Sequence, residues 1–145
     1  MSNHQDQAEP QRFVVAQDVV YAEVVSELSA RRKTIHWMWF VFSQLRGLGH
    51  SDMAFKYSLA SAEEALAYSK HSVLGSRPLE CVDLVFAAEA KSAHDIFGSP
   101  DDVKLRSCLT LFEATVSGEI QFEPALTKFY SGHRDPRTLE LLARA

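Results

Sequence analysis

Apolar residues recur along most of this chain with the period of an α-helix. Between Gln11 and Ala30, the residues Phe13, Ala16, Val20, Val24 and Leu28 fall on one arc of a wheel turning roughly 100° per residue, with Val14, Tyr21 and Val25 at its edge. Gln17 lies inside that arc. A glutamine on a buried face must find a partner or cost about 1–3 kcal/mol, so it is either a structural clamp or the lining of something polar. The pattern breaks at Arg31-Arg32-Lys33. The stretch that follows, Thr34 to Leu45, holds both tryptophans and is apolar all round the wheel, which predicts a buried helix. Its aromatic and β-branched residues would also suit a strand, but no other segment looks like a strand partner. Gly47-Leu48-Gly49 is expected to end it.

The remaining elements are marked by punctuation. Ser51-Asp52 caps a short helix through about Leu59, and Ser61-Ala62-Glu63-Glu64 reads as a capping box opening a helix to about His71. Beyond Gly75 and Pro78, the segment Leu79–Ala90 predicts a central helix, and Ser92–Phe97 a helical turn closed by Gly98. Ser99-Pro100-Asp101-Asp102 places a serine at N-cap, proline at N1 and acids in the first turn of a helix reaching about Val116. Gly118 separates it from a segment carrying Phe122, Leu126, Phe129 and Tyr130, which ends at Gly132. Asp135-Pro136 starts the last helix, with Leu139, Leu141 and Leu142. Residues 1–10 carry no periodic pattern and are expected to form a disordered tail. The prediction is an all-α fold: one compact domain over residues 11–145, with about seven helices, several of them short.

Composition narrows the function. A chain of 145 residues with 46% hydrophobic and 23% charged residues can build its own core. A net charge of −4 argues against a nucleic-acid partner, which needs a broad basic surface. Cys81 and Cys108 sit in apolar stretches without CxxC spacing and read as buried, reduced thiols. No signal peptide and no membrane-length apolar run is visible, so a cytoplasmic location is expected. The six histidines show neither HxxxH nor HExxH spacing, and no dinucleotide or phosphate loop occurs, so neither a metal nor a cofactor is expected.

Two clusters are candidates for chemistry. Lys33, His36, Trp37 and Phe40 would share one face of a helix, joining a cation, an imidazole and an indole that suit an anionic, aromatic ligand. The plainer reading makes His36 a core histidine and Lys33 a solvated helix start. On the helix after Pro100, Lys104, Ser107 and Thr110 form a polar stripe that suits phosphate oxygens, or equally the close approach of a neighbouring helix. Asp101 and Asp102 read as partners of the helix dipole. Asp83 is expected to be partly buried and to need a cation such as Arg77 or Lys104. Met38, Trp39, Val41 and Phe42 are assigned to the core.

The stretches His36-Trp37-Met38-Trp39-Phe40, Gly47-Leu48-Gly49, Ile96-Phe97-Gly98 and Lys104-Leu105-x-Ser107-x-x-Thr110-Leu111-Phe112 resemble family 1810 of the domains of unknown function. The likeness covers about residues 11–142 and is carried also by Glu27-Leu28, Arg32-Lys33, Asp101-Asp102 and Asp135-x-x-Thr138-Leu139. It implies a bacterial, mainly helical single domain and implies no activity. Members sometimes carry the label calpastatin, whose disordered, polar character does not match this composition. Two positions depart from the family pattern: Ser43 stands where proline is usual, and Cys108 where a second serine is usual.

Two functions compete. One is a domain that binds a small anionic or nucleotide-like ligand, possible enzymatic activity included, through Lys33, His36, Trp37, Gln44, Lys104, Ser107 and Thr110 converging on one pocket. The other is a non-catalytic interaction module whose aromatic stretch is only its core and which exposes an apolar patch, for instance on Phe122–Tyr130.

Overall fold

A computed structural model describes residues 2–49, 51–88, 92–116 and 122–144. These form nine helices: α1 (Ser2–Ser29), α2 (Met38–Val41), α3 (Asp52–Lys56), α4 (Ala62–Lys70), α5 (Ser76–Phe86), α6 (Ala93–Phe97), α7 (Asp101–Thr115), α8 (Phe122–Tyr130) and α9 (Pro136–Arg144). The fold is all-α, and among the described residues the one piece of β pairing is a parallel bridge between Leu45 and Leu59. Gly118, expected as a boundary, lies outside the described residues, as does Ala90, the expected end of the central helix.

Helix α1 presents the arc that its sequence shows, burying Phe13, Gln17, Val24 and Leu28. Gln17 is a clamp. Its amide nitrogen donates to the Phe40 carbonyl (2.5 Å) and to the Tyr68 hydroxyl (3.1 Å), and its oxygen accepts from Arg77 (3.2 Å). The helix stops in a Schellman arrangement: Arg32 N–H donates to the Glu27 carbonyl and Arg31 N–H to that of Leu28, at 2.9 and 3.0 Å. Arg31 takes the left-handed position there, with φ 63°.

The aromatic stretch is not one helix. Residues 33–37 run as a loop and only Met38–Val41 make a helical turn. The cause is Glu27, whose carboxylate accepts from the Thr34 amide (2.8 Å), the Thr34 hydroxyl (2.8 Å), the Ile35 amide (3.3 Å) and the Trp37 indole (2.9 Å). Donors that a helix would have given to carbonyls are taken by one side chain. The helix ends before Ser43, which donates to the Trp39 carbonyl (3.2 Å) where the family pattern has proline. Past it, the chain is held extended by Leu59, whose N–H donates to the Gln44 carbonyl (2.9 Å) and whose carbonyl accepts from Arg46 (2.8 Å). Gly47, at φ 109°, then turns the chain against the side chain of Leu141, tying this loop to α9.

Helix α7 is the axis of the domain, packing against α4, α6, α8 and α9. Leu105, Cys108, Leu109, Leu111 and Phe112 are buried along it. Its start differs from the sequence pattern: the N-cap position is Pro100, following a cis Ser99–Pro100 bond, and Ser99 makes no cap. The Asp102 amide donates to the Gly98 carbonyl instead (2.9 Å). Caps at α3 and α4 are as expected, from Ser51 and Ser61, although Glu64 reaches back to the Ala60 amide (2.7 Å), and Ser92 caps α6 as well. Gly98, at φ 72°, closes α6. Asp83 is exposed, and the two cations considered for it are engaged elsewhere, Arg77 with Asp18 (2.6 Å) and Lys104 with Asp101 (3.7 Å). The Phe122–Tyr130 segment is no exposed patch, since Phe122, Ala125 and Leu126 are buried.

Candidate functional site

Two clefts of similar size open on the surface. One, of about 400 Å³, lies beside Arg12, Phe13, Glu63, Glu64 and Tyr68. Its cation is already consumed within the fold: Arg12 donates to the carbonyls of Lys56 (2.7 Å) and Ser58 (3.0 Å) and lies over the Phe13 ring. The other, of about 430 Å³, lies where α2 and the loop after it meet the first half of α7 and the start of α9. Trp39, Gln44, Lys104, Ser107, Asp135 and Arg137 supply its chemistry, with Leu48 and Val103 as apolar wall.

The seven residues singled out in the sequence separate into those at this cleft and those away from it. Gln44, Lys104 and Ser107 line it. Gln44 is half-buried, and among the described residues its amide has no hydrogen-bond partner. The Lys104 ammonium lies 5.3 Å from the centroid of the Trp39 ring and 3.7 Å from Asp101. Ser107 donates to Asp135 (2.9 Å) and to the Val103 carbonyl (3.3 Å). Thr110 sits one step further round α7, fully buried, donating to the Arg106 carbonyl (2.8 Å) and accepting from the Asp135 amide (2.9 Å). Successive steps of three residues rotate the stripe by about 60° each, carrying it from the cleft into the core.

The Lys33–His36–Trp37 face does not exist as a helix face. Trp37 is fully buried, bonded to Glu27 and packed among Phe42 and Phe97. Lys33 is pinned to Asp101 (2.8 Å) and to the Ile35 carbonyl (2.6 Å), with its ammonium 5.0 Å from the Trp37 centroid. His36 is exposed and lies alongside Trp39, with ring centroids 6.2 Å apart and 30° between planes. The two tryptophans thus exchange the roles that helical spacing assigns them: Trp37 belongs to the core and Trp39 to the cleft. Trp39 could be found from the sequence only by knowing that α2 starts at Met38. Arg137 lies on α9 and Asp135 directly precedes it, and no spacing links them to α2 or α7.

Asp135 forms the floor. It is buried, and its carboxylate accepts from Ser107, from the Thr138 hydroxyl (2.5 Å) and from the Thr138 amide (3.3 Å), with Arg106 at 3.7 Å. Its charge is therefore spent internally, whereas the two cations on the rim are less tightly held. Arg137 is half-exposed and pairs with Glu140 (2.8 Å), a contact worth little at a surface. The outcome is a cleft with a ring, a free amide and two cations around an internally satisfied floor. Among the described residues no group of three or more His, Cys, Asp or Glu is placed to hold a metal ion, and no helix is long and apolar enough to cross a membrane.

Comparison with known proteins agrees with this fold. The chain is 50% identical to a conserved hypothetical protein, Rv1873, from Mycobacterium tuberculosis, whose crystal structure superposes with a TM-score of 0.92 over 93% of this chain and 96% of that one. No curated protein matches it. Residues 7–142 match the family described as protein of unknown function DUF1810, and the chain belongs to that family.

Proposed function

We propose that the cleft between α2, α7 and α9 binds a small anionic ligand, nucleotide-like in carrying a flat ring beside its charge. One observation carries this reading: Lys104 stands over Trp39, 3.7 Å from Asp101, with Arg137 in the same wall. A loosely paired cation beside a half-buried indole offers an anion its charge and a ring its face at the same place. The volume falls within the roughly 300–1,000 Å³ usual for small-molecule sites. Of the residues considered from the sequence, Gln44, Lys104 and Ser107 touch the ligand in this reading, and His36 flanks the Trp39 ring. The protein works in the cytoplasm, where Cys81 and Cys108 stay reduced, and has no nucleic-acid partner at its net charge of −4.

A thermal-shift screen against nucleotides, sugar phosphates and acyl anions tests the reading. A ligand at a hundred times its Kd stabilises the fold by about 2.7 kcal/mol, a rise of several degrees. Lys104→Ala and Arg137→Ala should each remove most of that rise while leaving the unliganded Tm within about 1–2 °C. Shifts that persist in both variants would place the ligand elsewhere. A second reading, an interaction module, draws on Val15 and Val19, which are 57% and 78% exposed one turn apart on α1. It predicts that Val19→Asp abolishes capture of a protein partner and that no small anion shifts the Tm.

A further inference from the structure

We infer that the cleft is selective for an adenine nucleotide, with the Gln44 amide reading the base and the indole of Trp39 carrying it. This rests on the ligand reading above and goes further in naming the ring. Trp39 is the only tryptophan with solvent access among the described residues, because Trp37 is fully buried. Its indole bears the Lys104 ammonium at 5.3 Å, a contact weak enough to be exchanged. Asp101 does not fix that lysine either: at 3.7 Å it is a loose partner of Lys104, while its other oxygen holds Lys33 at 2.8 Å. An incoming phosphate draws Lys104 off the ring, and the base takes the vacated face. One movement of one side chain therefore serves both halves of the ligand.

Gln44 supplies the selectivity. Its amide lines the same cleft and, among the described residues, is bonded to nothing. A carboxamide presents a donor and an acceptor side by side. Adenine presents the complementary pair on both edges, its 6-amino group beside N1 or N7, whereas guanine presents one only on its pairing edge and offers two acceptors on its outer edge. The larger face of a purine also covers more of an indole than a pyrimidine does. On the rim, Arg137 can turn from Glu140 to join Lys104 at the phosphate.

The test uses the full-length protein and five probes: AMP, GMP, UMP, purine riboside 5′-phosphate (which lacks the 6-amino group) and inorganic phosphate. Calorimetry gives the affinities and tryptophan emission reports on the ring. AMP is expected to bind roughly tenfold more tightly than UMP or the analogue without the amine. It should also quench emission in the native chain and not in Trp39→Phe. Gln44→Ala should bring AMP to the affinity of the amine-free analogue without a change in Tm, since that amide holds nothing in the fold. Equal affinities for all four nucleotides would overturn the adenine assignment and leave the anion site standing. Binding of none of the five, phosphate included, would overturn both.

Discussion

Glu27 shows how far one side chain determines this fold. Burial pushes its carboxyl up, but hydrogen bonds from the Thr34 amide, the Trp37 indole, the Thr34 hydroxyl and the Ile35 amide outweigh that and hold it below the ordinary 4.5 of a glutamate. A carboxyl depressed on folding stabilises the native state at pH values above its unfolded value and loses that contribution as the pH falls through its folded value. Glu27→Gln should therefore cost about 1–3 kcal/mol at pH 7, and the two Tm curves should draw together as the pH falls below the ordinary 4.5. Acid limbs that stay parallel would show that Glu27 is not the titrating support of the loop. Sequence reasoning reached Gln17, because a polar residue inside an apolar arc announces itself. It did not reach Glu27, since the donors that the carboxylate collects are backbone amides of a loop, and amides carry no sequence signature. That one omission turned a loop with a single helical turn into an imagined helix. It moved Trp37 from the core to a binding face and Trp39 from the cleft to the core.

At the scale of elements, the boundaries set by side chains were readable and those set by backbone geometry were not. Ser51 and Ser61 cap the helices that their positions announce. The end of α1 depends instead on Arg31 at φ 63°, where glycine would be at ease and where a side chain costs about 1 kcal/mol. Arg31→Gly should raise stability by up to that amount, measured as a higher urea midpoint with an unchanged slope; a lower midpoint would mean that the arginine side chain contributes something the backbone does not show. The start of α9 behaves in the opposite way. Asp135 was legible as the start of a helix, where its carboxylate accepts from the Thr138 amide, but its second task was not: the same carboxylate bonds Ser107 on α7, and the Asp135 amide is held by Thr110. Asp135→Ala leaves the Ser107 and Thr138 hydroxyls and Arg106 without their acceptor, and the Arg106 Nε is already buried and unpaired. The expected loss is about 2–3 kcal/mol in urea denaturation, with Asp135→Asn losing less. A loss no larger than an exposed cap gives, about 1 kcal/mol, would show that α7 and α9 do not depend on this joint. Half of the polar stripe on α7 was therefore a helix-to-helix seam and half a cleft wall. The stripe is divided in this way because three-residue steps carry it round the helix.

Across the whole molecule, the two cysteines offer a probe that needs no ligand. Cys81 on α5 and Cys108 on α7 are buried to 0% and 1% exposure, on helices that share α8 and otherwise pack against different elements. Helix α5 packs against α1 and α8, while α7 joins α4, α6, α8 and α9. Burial pushes the Cys81 thiol up to about 12 and the Cys108 thiol up as well, which removes the thiolate that alkylating reagents need. In the native protein at pH 8 both should therefore label roughly 10³-fold or more slowly than an unfolded chain, at a rate set by opening of the fold. The unity of the domain is then a measurable quantity. Aromatic contacts run from Phe13 through Tyr68 to Phe112 and Phe122, linking α1, α4, α7 and α8 in one core. If that core unfolds as one body, both cysteines become reactive at the same urea concentration, and this midpoint coincides with the change in tryptophan emission. Peptide mapping by mass spectrometry assigns each label without substituting either thiol. Labelling of Cys81 well before Cys108 would instead divide the chain between the α1–α5 pair and the α7 group, and the core contacts would then have to be weaker than their burial implies.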